Sequence, residues 1–520
     1  MAQYDEFGGG GFSQDAYENI PDRVRNMLHD FRMALYSGES KEAKGRVAYI
    51  YERQWPEISE QMYKDSLWPS AEAVRLEWDV QDGDIALILY KELYYRHIFY
   101  TRPNPALDQR AESFENFCDL FNMIVHSADD PTQVDELAGV ELPPKWLWDI
   151  IDEFIYQFES FSQYRARLKK DDPELAIVKE NPRLWNVHIV LNVLHSLIDK
   201  SNINQQLEAF KNGENPNEVA GEFGTRQLYK FLGYFSLVGL LRLHCLLGDY
   251  HQALRVMEHI ELDKKGLYSR VPACQVSVFY YVSFSYMMMG RYKDAVRVMS
   301  NILFYIYRAQ LHQQRALGGF NVITKKRDQL YLLLAIVMTL CPQRIEDYVQ
   351  RQLLDRCGED MQKMEKGDEA SIATFDDLFS KGCPRFISPT PVVAKHDDAD
   401  AVNEPLMHQK RVFLADIRRS LSIPNIRSYL KLYSTMQLDK LASFFHVDTA
   451  TLRTSLHQYK HKTNQLAWIS GTPLEGEQIP SADVDFYIDG DMLHIADVKV
   501  ERSFGEYFCY LIGKNLPIGL

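Results

Sequence analysis

No cysteine of this chain stands in a C-x-x-C pair. The seven lie scattered as Cys118, Cys245, Cys274, Cys341, Cys357, Cys383 and Cys509, an odd number at wide spacing that makes neither a disulfide framework nor a zinc-ligand set. There is no N-x-Ser/Thr acceptor, and the opening MAQYDEFGGGGF lacks the basic and apolar stretches of a secretory signal. These absences place the chain in cytosol or nucleus. Long uncharged apolar runs are missing too. Residues 231–248 carry Arg242 and His244 and are interrupted by Gly233 and Gly239, and residues 330–340 are too short, since a membrane span needs about 20 residues. Both read as buried helices. Positive charge is also scarce. A net charge of −14 argues against wrapping nucleic acid as a main task, because phosphate neutralisation needs clustered Lys and Arg. Catalytic signatures are lacking: no H-E-x-x-H, no Walker loop, no nucleophile elbow. Gly318 and Gly319 precede Phe320 without the Lys-Ser/Thr of a phosphate loop, and the glycine run at 8–11 opens no strand and helix. The expectation is a protein with no catalytic residues, no metal, no cofactor and no membrane contact.

What is present is aromatic and helical. Thirty tyrosines and 27 phenylalanines supply broad helix–helix contacts. At 520 residues the chain should hold two to four structural units. Residues 1–19 are acidic and glycine-containing, without Lys or Arg, and predict a disordered tail. Residues 20–222 predict an N-terminal helical region. Within it, Leu147, Ile150, Ile151, Phe154, Ile155 and Phe158 form one wide stripe at intervals of three and four, and residues 186–197 follow the same pattern.

An approximate repeat follows. Leu247-Gly248-Asp249-Tyr250-His251-Gln252-Ala253 is echoed by Met289-Gly290-Arg291-Tyr292-Lys293-Asp294-Ala295, 42 residues on. Glycine permits the left-handed residue that ends a helix, tyrosine fills the angle between two helices, and alanine lets them approach. Residues 223–415 therefore predict tetratricopeptide-like helical hairpins of a degenerate solenoid, with a proline-rich acidic loop near 384–405.

Residues 416–502 have a different grammar. Ser434 and Gln437 have the spacing of a capping box, opening a helix expected to bury Leu438, Leu441, Phe444 and Phe445. A turn at His446 leads to a second helix with Leu452, Leu456 and Tyr459 on one side. The period then becomes two: Val484, Phe486 and Ile488 alternate with polar residues, Asp489-Gly490 predicts a hairpin turn, and residues 492–500 return. Helix–turn–helix followed by a β-hairpin is the outline of a winged helix. Residues 503–520 form a short tail.

A mainly α chain, a tetratricopeptide-like solenoid ending in a winged helix with a small antiparallel β-hairpin, resembles the PCI-domain family of the proteasome lid, the signalosome and initiation factor 3. PKWLWDIIDEFIYQFESFSQYR at 144–165, the stretch 223–308, YKHK at 459–462 and DVDFYIDGDMLHIADVKV from 483 are similar to the subunit L family of eukaryotic translation initiation factor 3. The resemblance runs from about residue 21 to 503. It implies a cytoplasmic, non-catalytic scaffold subunit that supports recruitment of mRNA and initiator tRNA to the small ribosomal subunit through its PCI domain. The other subunits would be its partners, subunit K the expected neighbour. Members of the family continue into a longer charged helix, where this chain reads SFGEYFCYLIGKNLPIGL; weaker participation in a helical bundle is expected from that departure.

The protein-contact expectation falls on Val484, Phe486, Ile488, Leu493 and Ile495 of the hairpin, through strand addition to an open edge, with Phe444 and Phe445 in support. Weak RNA contact is expected, if anywhere, at Arg453, His457, Lys460 and Lys462, although Asp439, Asp448, Asp483, Asp485, Asp489, Asp491 and Asp497 surround them. The alternatives are a winged-helix RNA-binding protein and a PCI subunit of the proteasome lid or signalosome. Asp152 and Glu153 read as a solvated helix face, His244 and Cys245 as core, Met287 to Met289 as packing, and Lys325-Lys326-Arg327 as an exposed helix start.

Overall fold

The structure is a computed structural model that describes residues 20–497, apart from 38–39, 103, 127–138, 169–171, 263, 265, 313–319, 389–402, 422 and 481–483. The expectations for the acidic tail, for most of the proline-rich loop and for the C-terminal tail lie outside the described residues. The chain is mainly helical and divides into two compact units. One comprises Met1–Leu243, His259–Gln275 and Ile387–Val402; the other comprises His244–Glu258, Val276–Phe386 and Asn403–Leu520.

In the first unit, helices including Ile85–Thr101, Leu107–His126, Pro144–Arg167 and Val187–Ser201 pack around aromatic side chains. All six stripe residues of Pro144–Arg167 are buried, with Trp146 at 0% exposure. Tyr51 stacks on Trp146 with ring centroids 4.6 Å apart, and the Trp146 indole donates to Glu92 Oε2 at 3.0 Å. Glu92 also accepts from Arg96, whose guanidinium donates to the Tyr51 hydroxyl at 2.5 Å. Buried charge survives here because each polar atom of Glu92 has a partner.

Asp152 and Glu153 are not a solvated face. Arg242, itself buried, donates to Asp152 Oδ1 at 2.6 Å and to Glu159 Oε2 at 3.1 Å. Glu153 is half-buried, and burial pushes its carboxyl up to about 7 despite the nearby Arg96. The helix is covered around most of its girth, so its polar stripe faces other charges.

Helix Gln227–Leu247 is long and apolar enough to span a membrane, but 83% of its most apolar window is buried inside the protein. Its two glycines are sites of close approach. A methyl on Gly233 would sit 2.7 Å from Ser201 Cβ and closer still to its hydroxyl; one on Gly239 would lie 3.0 Å from Ile155 Cδ1.

In the second unit the two repeat copies are superposable in their chemistry. Gly248 and Gly290 have φ of 83° and 74°, the left-handed conformation that costs glycine least. Ala253 and Ala295 are both 0% exposed. The Tyr250 hydroxyl donates to Gln409 at 2.8 Å and the Tyr292 hydroxyl to Asp416 at 3.1 Å, so both tyrosines anchor helix Glu404–Ser420. Lys325-Lys326-Arg327 is not a free cationic start. The Lys326 ammonium lies 3.6 Å from the Tyr280 ring centroid, and Arg327 pairs with Asp328 at 3.0 Å. Met287 is core, whereas Met289 is 36% exposed.

Candidate functional site

The C-terminal module is built on strands β1 (Thr435–Gln437), β2 (Asn464–Ala467), β3 (Glu477–Pro480), β4 (Val484–Asp489) and β5 (Met492–Asp497). β2 pairs with β3, and the other three form an antiparallel sheet in the order β1-β5-β4. Helices Leu438–Phe445 and Thr449–Thr463 lie between β1 and β2 in sequence. His446 ends the first helix in the left-handed conformation, φ 56°, and Asp448 caps the second by accepting from the Thr451 amide. The core combines Ile426, Leu438, Leu441, Leu456, Tyr459 and the inward face of the hairpin.

Three expectations are corrected here. Ser434 and Gln437 make no capping box: Gln437 closes β1, no side chain caps helix Leu438–Phe445, and the Ser434 carbonyl accepts from the Ile495 amide at 2.8 Å. Residues 435–437 are drawn into the sheet because β5 offers them a ladder partner, which outweighs a local cap. The hairpin loop is Gly490-Asp491, one residue later than Asp489-Gly490, with Asp489 paired to Met492. Gly490, φ 59°, stands first in the loop, where a type II′ turn takes glycine. Phe444 is 37% exposed and stacks on Tyr429 instead of entering the core.

Val484, Phe486 and Leu493 are 3%, 4% and 0% exposed, with Ile488, Ile495 and Phe445 partly buried against the same core. Their side chains point inward. The outward face of the hairpin carries Tyr487, 62% exposed, stacked on its cross-strand partner His494 at 4.7 Å. Leu432, Tyr433 and Val447 of the same module are also exposed. The alternation V-D-F-Y-I, which places Tyr487 opposite the core, is the signal that could have found this face.

β4 is an edge strand, and its middle is guarded. The hairpin register makes Asp485, Tyr487 and Asp489 the residues bonded to β5, so the backbone of Phe486 faces outward. Its amide donates to Asp485 Oδ1 at 2.8 Å, and its carbonyl accepts from the Lys460 ammonium at 2.7 Å. A side chain on each ladder group blunts the edge against an added strand.

The cations of helix Thr449–Thr463 are spent internally. Arg453 bonds the Gly490 carbonyl at 2.6 Å and Asp491 at 2.7 Å, Lys460 lies 3.2 Å from Asp485, and Lys462 pairs with Asp416. Exposed His457 is the member of the set for which no such pair is seen.

A clamp that the sequence reading missed holds the 468–476 loop. Arg291, 3% exposed, donates to the carbonyls of Pro473, Leu474 and Glu475 at 3.0 Å each and to Asp294 at 2.9 Å. Asp294 accepts from the Trp468 amide at 3.0 Å, and Arg297 lies 4.4 Å over the Trp468 ring. The only hint in the sequence is that the second repeat copy carries Arg and Asp where the first has Asp249 and Gln252.

Burial pushes the Cys245 thiol up to about 12, against any nucleophilic use. Among the described residues no His, Cys, Asp and Glu group could hold a metal ion.

A family model described as RNA polymerase I-associated factor PAF67 matches residues 109–515. Curated relatives named eukaryotic translation initiation factor 3 subunit L are similar over nearly the whole chain. That of Xenopus tropicalis is 47% identical, covering 97% of this chain and 91% of its own. The Homo sapiens relative is 46% identical over 97% and 90%, and the Nematostella vectensis relative 46% over 98% and 94%. With such identity along almost its full length, the chain belongs to the eukaryotic translation initiation factor 3 subunit L family.

Proposed function

We propose that the chain is a non-catalytic scaffold subunit of initiation factor 3, working in the cytoplasm and supporting recruitment of mRNA and initiator tRNA to the small ribosomal subunit. The carrying observation is similarity to subunit L relatives along nearly the whole of both chains. The helical part is read as tetratricopeptide-like hairpins on the matched glycine, tyrosine and alanine positions of the two copies. The C-terminal module is read as the winged helix of a PCI domain on its two helices and three-stranded sheet. Partner contact is assigned to the outward face of Tyr487 and His494 and to the Phe444 helix face. Val484, Phe486, Ile488, Leu493 and Ile495 support that face from within. Subunit K is the neighbour this reading expects. RNA contact at Arg453, His457, Lys460 and Lys462 is the weaker reading, because three of the four already satisfy internal acceptors.

Affinity purification of the tagged full chain after nuclease treatment, with mass spectrometry of its partners, tests this. Recovery of the other initiation factor 3 subunits is the expected result, with subunit K lost when Tyr487→Ser and Phe444→Ser are combined. Recovery of RNA-dependent partners alone would replace the scaffold with an RNA reader. Recovery of proteasome-lid or signalosome subunits would reassign the complex.

A further inference from the structure

The first unit holds a cavity of about 360 Å³, within the size range of ligand pockets, that the scaffold reading does not use. Ile203, Leu207, Ile260 and Leu267 supply apolar walls, and Phe210, 66% exposed, stands at the rim. Two adjacent cations, Lys230 and Arg270, line it without a carboxylate partner among the described residues. Arg270 lies 5.3 Å from the Phe231 ring centroid. Burial and then the neighbouring Arg270 hold the Lys230 ammonium below the usual lysine range. Lys264, by contrast, is paired with Glu261 at 2.9 Å. In a chain of net charge −14, two neighbouring cations that pair with no acid among the described residues are a local inversion of sign.

A second observation points into the same cavity. Tyr234 is 1% exposed, and its hydroxyl, close to the Tyr268 backbone amide, donates to no acceptor among the described residues. Gly266 keeps the hydroxyl uncovered, since a methyl there would stand 2.9 Å from it.

We propose that this cavity receives an acidic segment of a partner polypeptide, with an apolar side chain in the well and an adjacent carboxylate on Lys230 and Arg270. The Tyr234 hydroxyl donates to the segment's backbone carbonyl. A polypeptide fits better than a free small acid because the apolar surface continues past the well onto exposed Phe210, an aromatic beside cations, as at interface hot spots. The inference stands on the cavity and is independent of the assembly to which the chain belongs.

The test is fluorescence anisotropy with the purified full-length chain and a short labelled peptide whose central phenylalanine is flanked by glutamates. The expected result is saturable, salt-weakened binding that falls about tenfold or more with Arg270→Gln or Lys230→Gln, as the loss of a charged contact does. Tyr234→Phe, which removes a hydroxyl that donates to no acceptor among the described residues, lowers affinity without unfolding the chain. No saturable binding, equal binding of a glutamine-flanked peptide, or unchanged affinity in all three variants would overturn the proposal. So would binding of octanoate at the cavity with no retention of the peptide. A chain that fails here yet still co-purifies with initiation factor 3 subunits loses the pocket and keeps the scaffold reading.

Discussion

Replacing Gly233 by alanine isolates the role of close helix approach. In an ordinary helix the substitution is favourable by about 0.8–1 kcal/mol, because alanine loses less backbone entropy. At Gly233 the new methyl would lie 2.7 Å from Ser201 Cβ and 3.3 Å from the Leu197 carbonyl oxygen, whereas carbon–carbon contacts are comfortable at about 3.5–4.0 Å. Helix Val187–Ser201 or helix Gln227–Leu247 must therefore shift by roughly 1 Å, and such overpacking costs about 1–3 kcal/mol. Subtracting the helix gain leaves a net loss of up to about 2 kcal/mol. Gly358 provides the control. It lies in helix Asp347–Glu365 with nothing within 4 Å of its would-be methyl, so Gly358→Ala should stabilise by roughly 0.5–1 kcal/mol. Calorimetry reads both, each kcal/mol moving the Tm of a unit this size by about 2–4 °C. Adding Ser201→Gly to Gly233→Ala should recover much of the loss, as expected for neighbours that couple. A Gly233→Ala chain as stable as the wild type, or more so, would refute the reasoning.

Glu153 is pushed up to about 7 and Asp149 to about 6, chiefly by burial. The folded chain therefore binds more protons than the unfolded one between the ordinary carboxylate range and pH 7, and stability present at low pH is lost as pH rises through the folded values. Urea midpoints should fall from pH 5 to pH 8, and Glu153→Gln should flatten that slope; an unchanged slope would contradict the assignment. Arg291→Ala leaves buried Asp294 with only the Trp468 amide and Arg297 at 3.8 Å, a loss of up to about 3–5 kcal/mol. Hydrogen exchange at 468–475 should accelerate most in this variant, and uniform acceleration across the chain would count against a local clamp. Lys460→Ala with Asp485→Ala uncovers both ladder groups of Phe486, so concentration-dependent self-association should appear in light scattering. A variant that stays monomeric at all concentrations would mean the edge is protected by something other than these two side chains.

Much of the fold is legible because it depends on neighbours a turn or less away. The stripe of Pro144–Arg167, the buried Leu452, Leu456 and Tyr459, and the inward alternation of Val484 and Phe486 all follow from period alone. The paired Gly–Tyr–Ala copies are legible for the same reason, since glycine at a helix end and alanine at a helix crossing are local demands. The exposed face of the hairpin is harder to read. Period two separates core from surface on a hairpin, yet it does not say that the buried members are unavailable and that Tyr487 is the one presented.

The chain's own sequence determined its helical class, its family, the buried stripes of helices Pro144–Arg167 and Thr449–Thr463 and the two faces of the hairpin, because these rest on composition and short-range spacing. Tertiary structure alone decided what the charges do. Asp152 became a partner of Arg242, 90 residues away, and Arg291 a clamp on carbonyls more than 180 residues on. Lys460 became a cap on an edge strand, and Lys230 and Arg270 came to line one cavity with the buried Tyr234 hydroxyl. A charged side chain takes its meaning from whatever counter-charge the fold brings within a few ångströms, and separation along the chain carries no trace of that distance.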